Sequence, residues 1–359
     1  MDEHKGPAIS LVRFVHDQFL WLLIGSYAVA AILPGFGVWI RNVCFGKIAL
    51  LREQTAITLP MVMLAFLLLN AGLGIKTGRL RALLRRPLAL FAGLAVNFLA
   101  PIAFILGVTQ VMRVWHNPDE VHNILVGLAL VASMPVAGSS TAWSQNANGD
   151  LALSLGLVLF STFLSPLTTP VALHSVALMT SGGYAGALHE LAHSGTGVFL
   201  TVCVLVPSLT GIVGHGVIGE ARLAKAKPLL KLSNGMILLL LNYSNAAVSL
   251  PETAADPDWD FLAVTLGIVI GLCAFLFASG WLIARLLKAD YARQASLMFG
   301  LGMNNNGTGL VLGSMALGDH PRVLLPIIFY NLVQHLAAAT SARVMSCRRQ
   351  QEVAAGQMA

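Results

Sequence analysis

The fold is decided by the stretch Gly300-Leu301-Gly302-Met303-Asn304-Asn305-Asn306-Gly307-Thr308-Gly309, a polar and glycine-rich run inside an otherwise apolar segment. Three consecutive asparagines are not typical of a lipid-facing helix, because hydrocarbon offers their amide groups no hydrogen-bond partner. A second run of the same kind, Gly138-Ser139-Ser140-Thr141 continuing through Ser144-Gln145-Asn146, follows a comparable apolar segment in the first half of the chain. We predict that the two runs face each other.

The composition of the whole chain indicates an integral membrane protein. Of its 359 residues, 56% are hydrophobic and only 11% are charged, whereas about a quarter of the residues of a soluble domain are charged. A spanning helix needs about 20 apolar residues, so the chain has room for about ten. The apolar runs lack the alternation of barrel strands, and we therefore predict an all-α fold.

The apolar segments predict ten transmembrane helices, at residues 17–39, 56–75, 88–112, 121–144, 151–179, 195–219, 229–250, 261–285, 292–317 and 322–343. They divide into a first five-helix repeat (1–179), a connecting loop (180–194), a second five-helix repeat (195–343) and a cytoplasmic tail (344–359). An odd number of spans per half means that the two halves enter the membrane in opposite senses, as in an inverted repeat. Each polar run falls in the fourth span of its half, so helices 4 and 9 are predicted to be broken and to cross.

The placement of Lys and Arg predicts the orientation. With a cytoplasmic N-terminus, seventeen of these residues fall in cytoplasmic segments and five on the opposite side. We therefore expect a multi-pass protein of the cell's inner or plasma membrane with both termini in the cytoplasm. In a membrane protein this placement is more informative than the net charge of +6, and no nucleic-acid partner is expected. The large cytoplasmic set is Lys5, Arg13, Lys76, Arg79, Arg81, Arg85, Arg86, Arg222, Lys225, Lys227, Lys231, Arg285, Lys288, Arg293, Arg343, Arg348 and Arg349.

Broken helices at mid-membrane predict a binding site. A break frees backbone NH and carbonyl groups, and these must be satisfied by protein, water or a ligand. The freed helix N-termini suit an anion, and carbonyl, amide and hydroxyl oxygens suit a small cation. Candidate oxygen-bearing residues are Ser139, Ser140, Thr141, Asn304, Asn305 and Asn306, with Asn97 beside Pro101 as a further candidate. We expect Gly300, Gly302 and Gly307 to shape the break. The alternative is that these polar groups only join helices.

The string His189-Glu190-Leu191-Ala192-His193 matches the zinc signature of metalloproteases, in which two histidines share one helix face. No third ligand is evident nearby in the sequence, and the four cysteines have no metal-binding spacing. We therefore expect no metal, no cofactor and no enzyme, with a zinc-dependent membrane hydrolase as the remote alternative. Three histidines, His174, His215 and His335, could lie deeper in the membrane, which keeps a proton-coupled carrier open.

The chain resembles the bile acid:sodium symporter family. The motifs that carry the resemblance are Asn70-Ala-Gly-Leu-Gly-Ile-Lys76, Arg85-Arg86-Pro87, Gly149-Asp-Leu-Ala-Leu-Ser154, Ser165-Pro-Leu-Thr-Thr-Pro170 and Gly302-Met303-Asn304-Asn305. The resemblance implies two inverted five-helix repeats forming a panel and a core domain, with unwound, crossing fourth and ninth helices. It also implies transport of organic anions, with sodium as the coupling ion in the characterised branches.

Carried over residue by residue, the resemblance implies sodium ligands at Ser140, Ser154 and the Met303 carbonyl, with Asn304 at a position of Gln and Thr141 at a position of Asn. Gly300 stands where the family has a glutamate that both sodium ions share. Without a carboxylate, sodium would be bound by neutral oxygens alone. The ion-binding candidates are thus Ser140, Thr141, Ser154, Met303 and Asn304, and the substrate-binding candidates are Asn97, Ser139, Asn305 and Asn306.

These observations lead to one functional expectation and its alternatives. We expect a secondary active transporter of small organic anions or amphipathic solutes that works by alternating access, with sodium as the candidate coupling ion. An uncoupled or proton-coupled carrier and a transporter-like sensor remain as alternatives.

Overall fold

The computed structural model describes residues 14–15, 18–50, 53–75, 87–179, 182–193, 196–317 and 320–358. Several residues used in the predictions lie outside these ranges, namely Lys5, Arg13, Lys76, Arg79, Arg81, Arg85 and Arg86. The basic segment that carries much of the predicted cytoplasmic charge is therefore not part of the description that follows.

The described residues are mostly helical. The helices are α1 (Phe19–Ile32), α2 (Gly35–Asn42), α3 (Leu59–Leu73), α4 (Pro87–Val111), α5 (Pro118–Ser133), α6 (Ser139–Asn146), α7 (Leu151–Ala177), α8 (Gly182–His193), α9 (Thr196–Leu200), α10 (Val206–Ile218), α11 (Glu220–Ala246), α12 (Leu250–Ala255), α13 (Trp259–Leu286), α14 (Tyr291–Gly302), α15 (Asn306–Ala316) and α16 (Leu325–Met358). Short 3₁₀ turns cover Met112–Val114 and Pro321–Leu324, and a π turn, Thr201–Leu205, joins α9 to α10.

An antiparallel hairpin departs from the all-α prediction. Strand β1 (Cys44–Leu50) pairs with β2 (Glu53–Thr58), with Leu50 opposite Glu53 and Cys44 opposite Thr58. The second strand is rich in β-branched residues, which favour extended backbone. The hairpin follows the first predicted span, and its second strand includes the first three residues of the second predicted span, 56–75.

Five helical segments of the described residues are long and apolar enough to cross a membrane: Pro87–Val114, Leu151–Ala177, Thr196–Ile218, Trp259–Leu286 and Pro321–Met345. A sixth candidate is the pair α1 and α2, which is bent by 94°. The single span predicted at 17–39 is therefore wrong in shape. Pro34 lies at the bend, and proline disrupts the hydrogen bonding of a continuing helix. The ten-helix count stays a prediction.

Two of the predicted spans are interrupted in the structure, and one predicted loop is a helix. The span at 121–144 consists of α5 and α6, and the span at 292–317 consists of α14 and α15. The connecting loop at 180–194 contains α8, which packs on α7.

Helices α1, α3, α10 and α11 form what we call the outer group. Within it α1 packs on α11, and α3 packs on α10. The second contact is close, because a Cβ atom added to Gly211 would lie only 2.1 Å from the Leu69 carbonyl oxygen. Small residues at such crossings let two helix backbones approach, which is typical of membrane proteins.

The remaining long helices form what we call the crossing group, and they surround the two interrupted spans. In this group α4 packs on α7 and α13, α13 packs on α14 and α16, α5 packs on α16, and α7 packs on α14. Large side chains such as Phe299 and Tyr330 are fully buried inside it. The breaks therefore lie among packed helices rather than at a lipid-facing surface.

Candidate functional site

The two helix breaks are joined to each other by their backbones. Val136 and Asn304 form an antiparallel bridge. The Ala137 N–H donates to the Met303 carbonyl and the Asn305 N–H donates to the Pro135 carbonyl, both at 2.9 Å. The backbone between the half-helices is extended, with φ −127° and ψ 113° at Met303. The prediction that the two polar runs face each other is confirmed.

The two bridging hydrogen bonds are equivalent. In each, the residue after the bridging residue of one segment donates to the residue before the bridging residue of the other segment. A matching pair of side chains follows from this relation, because Ser140 and Thr308 each lie four positions after their bridging residue. Each belongs to the first turn of the half-helix that leaves the break. Both side chains are fully buried, and neither hydroxyl has a hydrogen-bond partner among the described residues.

Asn306 adds a third buried polar group without a partner. Its residue is 1% exposed, and no partner among the described residues contacts either its Oδ1 or its Nδ2 atom. Leaving a buried polar group unpaired costs about 1–3 kcal/mol. Such groups in a folded protein point to a bound water, ion or ligand that completes them. Ser140, Asn306 and Thr308 are therefore the side chains best placed to bind something at the crossing.

Asn304 and Asn305 have structural partners instead. The Asn304 Nδ2 atom donates to the Val131 carbonyl at 3.1 Å, which satisfies a carbonyl near the end of α5. The Asn305 Oδ1 atom accepts from the Thr308 N–H at 3.3 Å and so caps the N-terminus of α15. For these two asparagines the hydrogen-bonding role that the sequence left open is the observed one.

A polar network extends from the break to the outer group. The Asn304 N–H donates to Gln334 Oε1 at 3.0 Å, and Gln334 Nε2 donates to Asn331 Oδ1 at 3.2 Å. Asn331 Nδ2 then donates to Asn242 Oδ1 and to the Tyr27 hydroxyl, both at 2.9 Å. Tyr27 lies on α1 and Asn242 on α11, so the network crosses from the crossing group into the outer group.

Sequence reasoning missed Tyr27 and gave the other members little weight. Asn242, Asn331 and Gln334 were recognisable only as polar residues within apolar segments, which is also the pattern of ordinary packing contacts. The signal that could have singled them out is the presence of amides within apolar segments, where each amide must find a partner inside the protein.

The other predicted residues lie around the first break. The Ser154 hydroxyl of α7 donates to Thr141 Oγ1 at 3.4 Å, and Ser154 is fully buried. Ser139 is half-buried at the start of α6. Asn97 lines a cavity of about 30 Å³ together with Ser133, Met134 and Pro135. This volume accommodates one or two water molecules beside the break.

The three predicted glycines flank the second break rather than form it. Gly300 and Gly302 lie at the end of α14 and Gly307 at the start of α15, while residues 303–305 make the break. Gly300 and Gly302 allow close packing: a Cβ atom on Gly302 would lie 2.3 Å from the Phe277 ring. A Cβ atom on Gly307 would lie no closer than 3.5 Å to any neighbour, so that position does not require glycine.

Leu157 is wedged between two glycines beside the crossing. One of its methyl carbons, Cδ1, lies 2.7 Å from where a Cβ atom on Gly300 would be, and the other, Cδ2, lies 2.7 Å from the same position on Gly93. Leu157 is fully buried. The space beside residue 300 is therefore filled by hydrocarbon from α7 rather than by a polar side chain.

The chemistry of the crossing suits both signs of charge. Helices α6 and α15 begin at the breaks, and the unpaired N–H groups of a helix N-terminus favour an anion. Helices α5 and α14 end there, and carbonyls together with the Ser140 and Thr308 hydroxyls suit a small cation.

The histidines are arranged differently from the sequence-based expectation. A third potential metal ligand does lie near the His189 and His193 pair, because His174 of α7 is brought beside them. The expectation that no third ligand is nearby is therefore wrong. His174 is exposed and lies in the last turn of α7.

Comparisons of the sequence with known proteins give matches over most of the chain. The sequence model of the SBF-like CPA transporter family matches residues 17–347. The Bacillus subtilis (strain 168) protein YbaS is 25% identical over 280 residues, covering 77% of this chain and 84% of that protein. From the same organism, the protein named uncharacterized sodium-dependent transporter YocS is 24% identical, covering 70% of this chain and 73% of its own length. A protein of Oryza sativa subsp. japonica is named probable sodium/metabolite cotransporter BASS1, chloroplastic. It is 25% identical, and the match covers 79% of this chain and 66% of that protein.

Proposed function

Because the chain belongs to the SBF-like CPA transporter family, whose relatives include proteins named sodium-dependent transporters, we propose that it is a secondary carrier of small organic anions. The observation that carries the proposal is the backbone bridge between the two breaks, with a buried hydroxyl on each side of it, Ser140 or Thr308, that has no partner in the described part of the chain. The substrate and its coupling ion would bind at this crossing. Two of the three related proteins are named as transporters, and we propose no catalytic activity.

We propose that the ten predicted spans form two inverted repeats. The packing supports this arrangement. If the five spans of the first half are exchanged in order with the five of the second half, the contact of α1 with α11 becomes the contact of α10 with α3. The same exchange converts the contact of α4 with α7 into that of α13 with α16. The two bridging hydrogen bonds at the breaks also obey it.

The proposed orientation has both termini in the cytoplasm, in the inner or plasma membrane of the cell. Ion pairs support the underlying grouping of the loops by side, since each joins residues predicted to lie on the same side. Arg322 lies 3.7 Å from Asp258, and His116 lies 3.3 Å from Asp260, all on the predicted outer side. Arg293 lies 3.9 Å from Asp150 on the predicted cytoplasmic side.

Sodium is the proposed coupling ion, bound by neutral oxygens. A cation held at mid-membrane without a carboxylate leaves its charge uncompensated in a low dielectric. An anionic substrate bound at the neighbouring helix N-termini would supply the missing negative charge. We therefore expect each of the two ligands to raise the affinity for the other, since coupling between binding sites is reciprocal. Such mutual dependence is what couples the transport of substrate to that of the ion.

Alternating access would come from movement of the outer group relative to the crossing group. The network from Asn304 through Gln334 and Asn331 to Tyr27 and Asn242 supports this assignment, because it connects the site with the boundary between the two groups. Occupation of the break and the position of the outer group would then depend on the same hydrogen bonds.

The deciding experiment measures uptake of radiolabelled aliphatic, aromatic and steroid carboxylates into proteoliposomes, with an inward gradient of sodium or of potassium. We expect concentrative uptake of at least one class with sodium only. Equal uptake with both cations would exclude sodium coupling, and stimulation by a pH gradient would identify a proton-coupled carrier. Absence of both uptake and counterflow for every class would overturn the carrier proposal in favour of a sensor. Empty liposomes and the Ser208→Ala variant serve as controls, since the Ser208 hydroxyl bonds within its own helix in the outer group.

A further inference from the structure

Three histidines from two helices converge at the end of α7. His174 lies in the last turn of α7, and His189 and His193 lie one helical turn apart on α8. The Nδ1 atoms of His174 and His189 are 3.1 Å apart. One ring nitrogen from each of the three histidines lies within 4.8 Å of the others.

The backbones that carry these histidines are held in place by packing. Leu173 and Val176 lie close to His174 along α7. On α8, Leu188 precedes His189, and Leu191 lies between the two histidines. All four of these side chains are buried in the hydrophobic core. The imidazoles themselves are exposed or half-buried at the edge of this contact. The helix pair therefore fixes the positions of the Cα atoms and places the three rings in contact at its accessible edge.

The geometry is close to that of a tetrahedral metal site. Zinc binds imidazole nitrogen at about 2.0–2.1 Å, which places two nitrogen ligands of a tetrahedron about 3.4 Å apart. The separation of His174 and His189 already approaches this value. Rotation of the His193 ring brings in the third nitrogen, and the exposed side of the cluster leaves a fourth position for water.

The chemistry of the ligands selects the class of metal. Neutral imidazoles favour zinc and its late first-row neighbours, whereas magnesium and calcium prefer oxygen ligands. We propose that His174, His189 and His193 form a Zn²⁺-binding site that joins α7 to α8.

This site is separate from the helix crossing. His174 lies twenty residues after Ser154 on the same helix, which corresponds to about 30 Å along the axis. Helix α8 belongs to the segment that connects the two halves of the chain, so a bound zinc ion would fix that segment against α7. The metal would stabilise the connection between the halves without contacting a transported solute.

A direct test measures the zinc content of the purified full chain in detergent, after removal of metal with a chelator and dialysis against Zn²⁺. We expect one zinc ion per chain, and a loss of zinc affinity of at least tenfold in the His174→Ala and His193→Ala variants. Zinc should raise the melting temperature of the wild-type protein and not that of either variant, since a ligand that binds only the folded state stabilises it. Magnesium should have no effect.

A matched control distinguishes this site from the other histidine cluster, in which His116 lies near Glu120 and Asp260. The His116→Ala variant should bind zinc like the wild type. Equal zinc affinity in the wild-type and His174→Ala proteins, or loss of zinc in His116→Ala alone, would overturn the proposal. Cobalt substituted into the wild-type protein gives an answer that needs no variant: a tetrahedral absorption spectrum supports the site, and an octahedral one contradicts it.

Discussion

The Cδ1 atom of Leu157 lies 2.7 Å from the position that a Cβ atom on Gly300 would occupy. Leucine on α7 therefore takes the space that a larger side chain on α14 would need. Any side chain with a Cβ atom at residue 300, such as the glutamate that the family resemblance implies there, would meet this leucine. Glycine and leucine at these two positions act as a pair.

The first prediction concerns this pair. Gly300→Glu alone should destabilise the protein by about 1–3 kcal/mol or more, because the new side chain overpacks against Leu157 and buries a charge. Combined with Leu157→Ala, the glutamate gains room, and sodium should then raise the melting temperature more than potassium does. Leu157→Ala alone provides the control and should show no preference for sodium. A sodium effect in the single Gly300→Glu variant as large as in the double variant would contradict the role of Leu157.

The second prediction concerns the two equivalent hydroxyls. Ser140→Ala and Thr308→Val should leave the melting temperature nearly unchanged, because neither hydroxyl has a partner among the described residues. Each should reduce sodium-driven uptake in proteoliposomes by about tenfold, which corresponds to about 1.4 kcal/mol of lost ligand binding. Thr169→Val is the matched control. The Thr169 hydroxyl donates to the Ser133 carbonyl at 2.6 Å, so this variant should lose about 1 kcal/mol of folding free energy. Unchanged transport in both site variants would remove these hydroxyls from the site.

The third prediction separates capping from binding at Asn305. Asn305→Ala should destabilise the protein by about 1 kcal/mol, since the side chain caps α15, and Asn305→Asp should restore that stability. If Asn305 also faces an anionic substrate, the aspartate variant should be stable and poorly active because of charge repulsion. Thermal melting and uptake measured on the same preparations give both quantities. Full activity of the aspartate variant would assign Asn305 to capping alone.

The fourth prediction compares two glycines of the same run. Gly302→Ala should destabilise the protein by about 1–3 kcal/mol, because the new methyl group meets the Phe277 ring. Gly307→Ala should be neutral or stabilising by up to about 1 kcal/mol, since space is available and alanine favours helix. Melting temperatures of the two purified variants provide the comparison. Equal destabilisation of both would contradict the assigned packing.

The meeting of the two polar runs could be predicted from sequence, because asparagine and serine clusters in apolar segments must be satisfied within the protein. The family could also be predicted, and the match over residues 17–347 confirms it. What each polar residue does was not predictable. Asn304 forms hydrogen bonds with Val131 and Gln334, whereas the Asn306 side chain has no partner among the described residues. Three consecutive asparagines in a sequence do not indicate in which direction each side chain points.

Long-range pairing accounts for most of what the sequence could not reveal. Tyr27 contacts Asn331 across about 300 positions of the chain, and nothing local to either residue marks the contact. His174 joins His189 only because α8 folds back onto α7, in a segment that the apolar pattern assigned to a loop. The bend at Pro34 was signalled by the proline itself, but its size of 94° depends on packing.

The bridge at Val136 and Asn304 also bears on how such a protein evolves. Its two hydrogen bonds use only peptide groups, which every residue except proline can supply in full. The backbone bridge between the two half-helix pairs therefore does not depend on which side chains flank it. Substitutions among the neighbouring hydroxyls, amides or carboxylates can therefore change the groups offered to a ligand while the backbone bridge is kept.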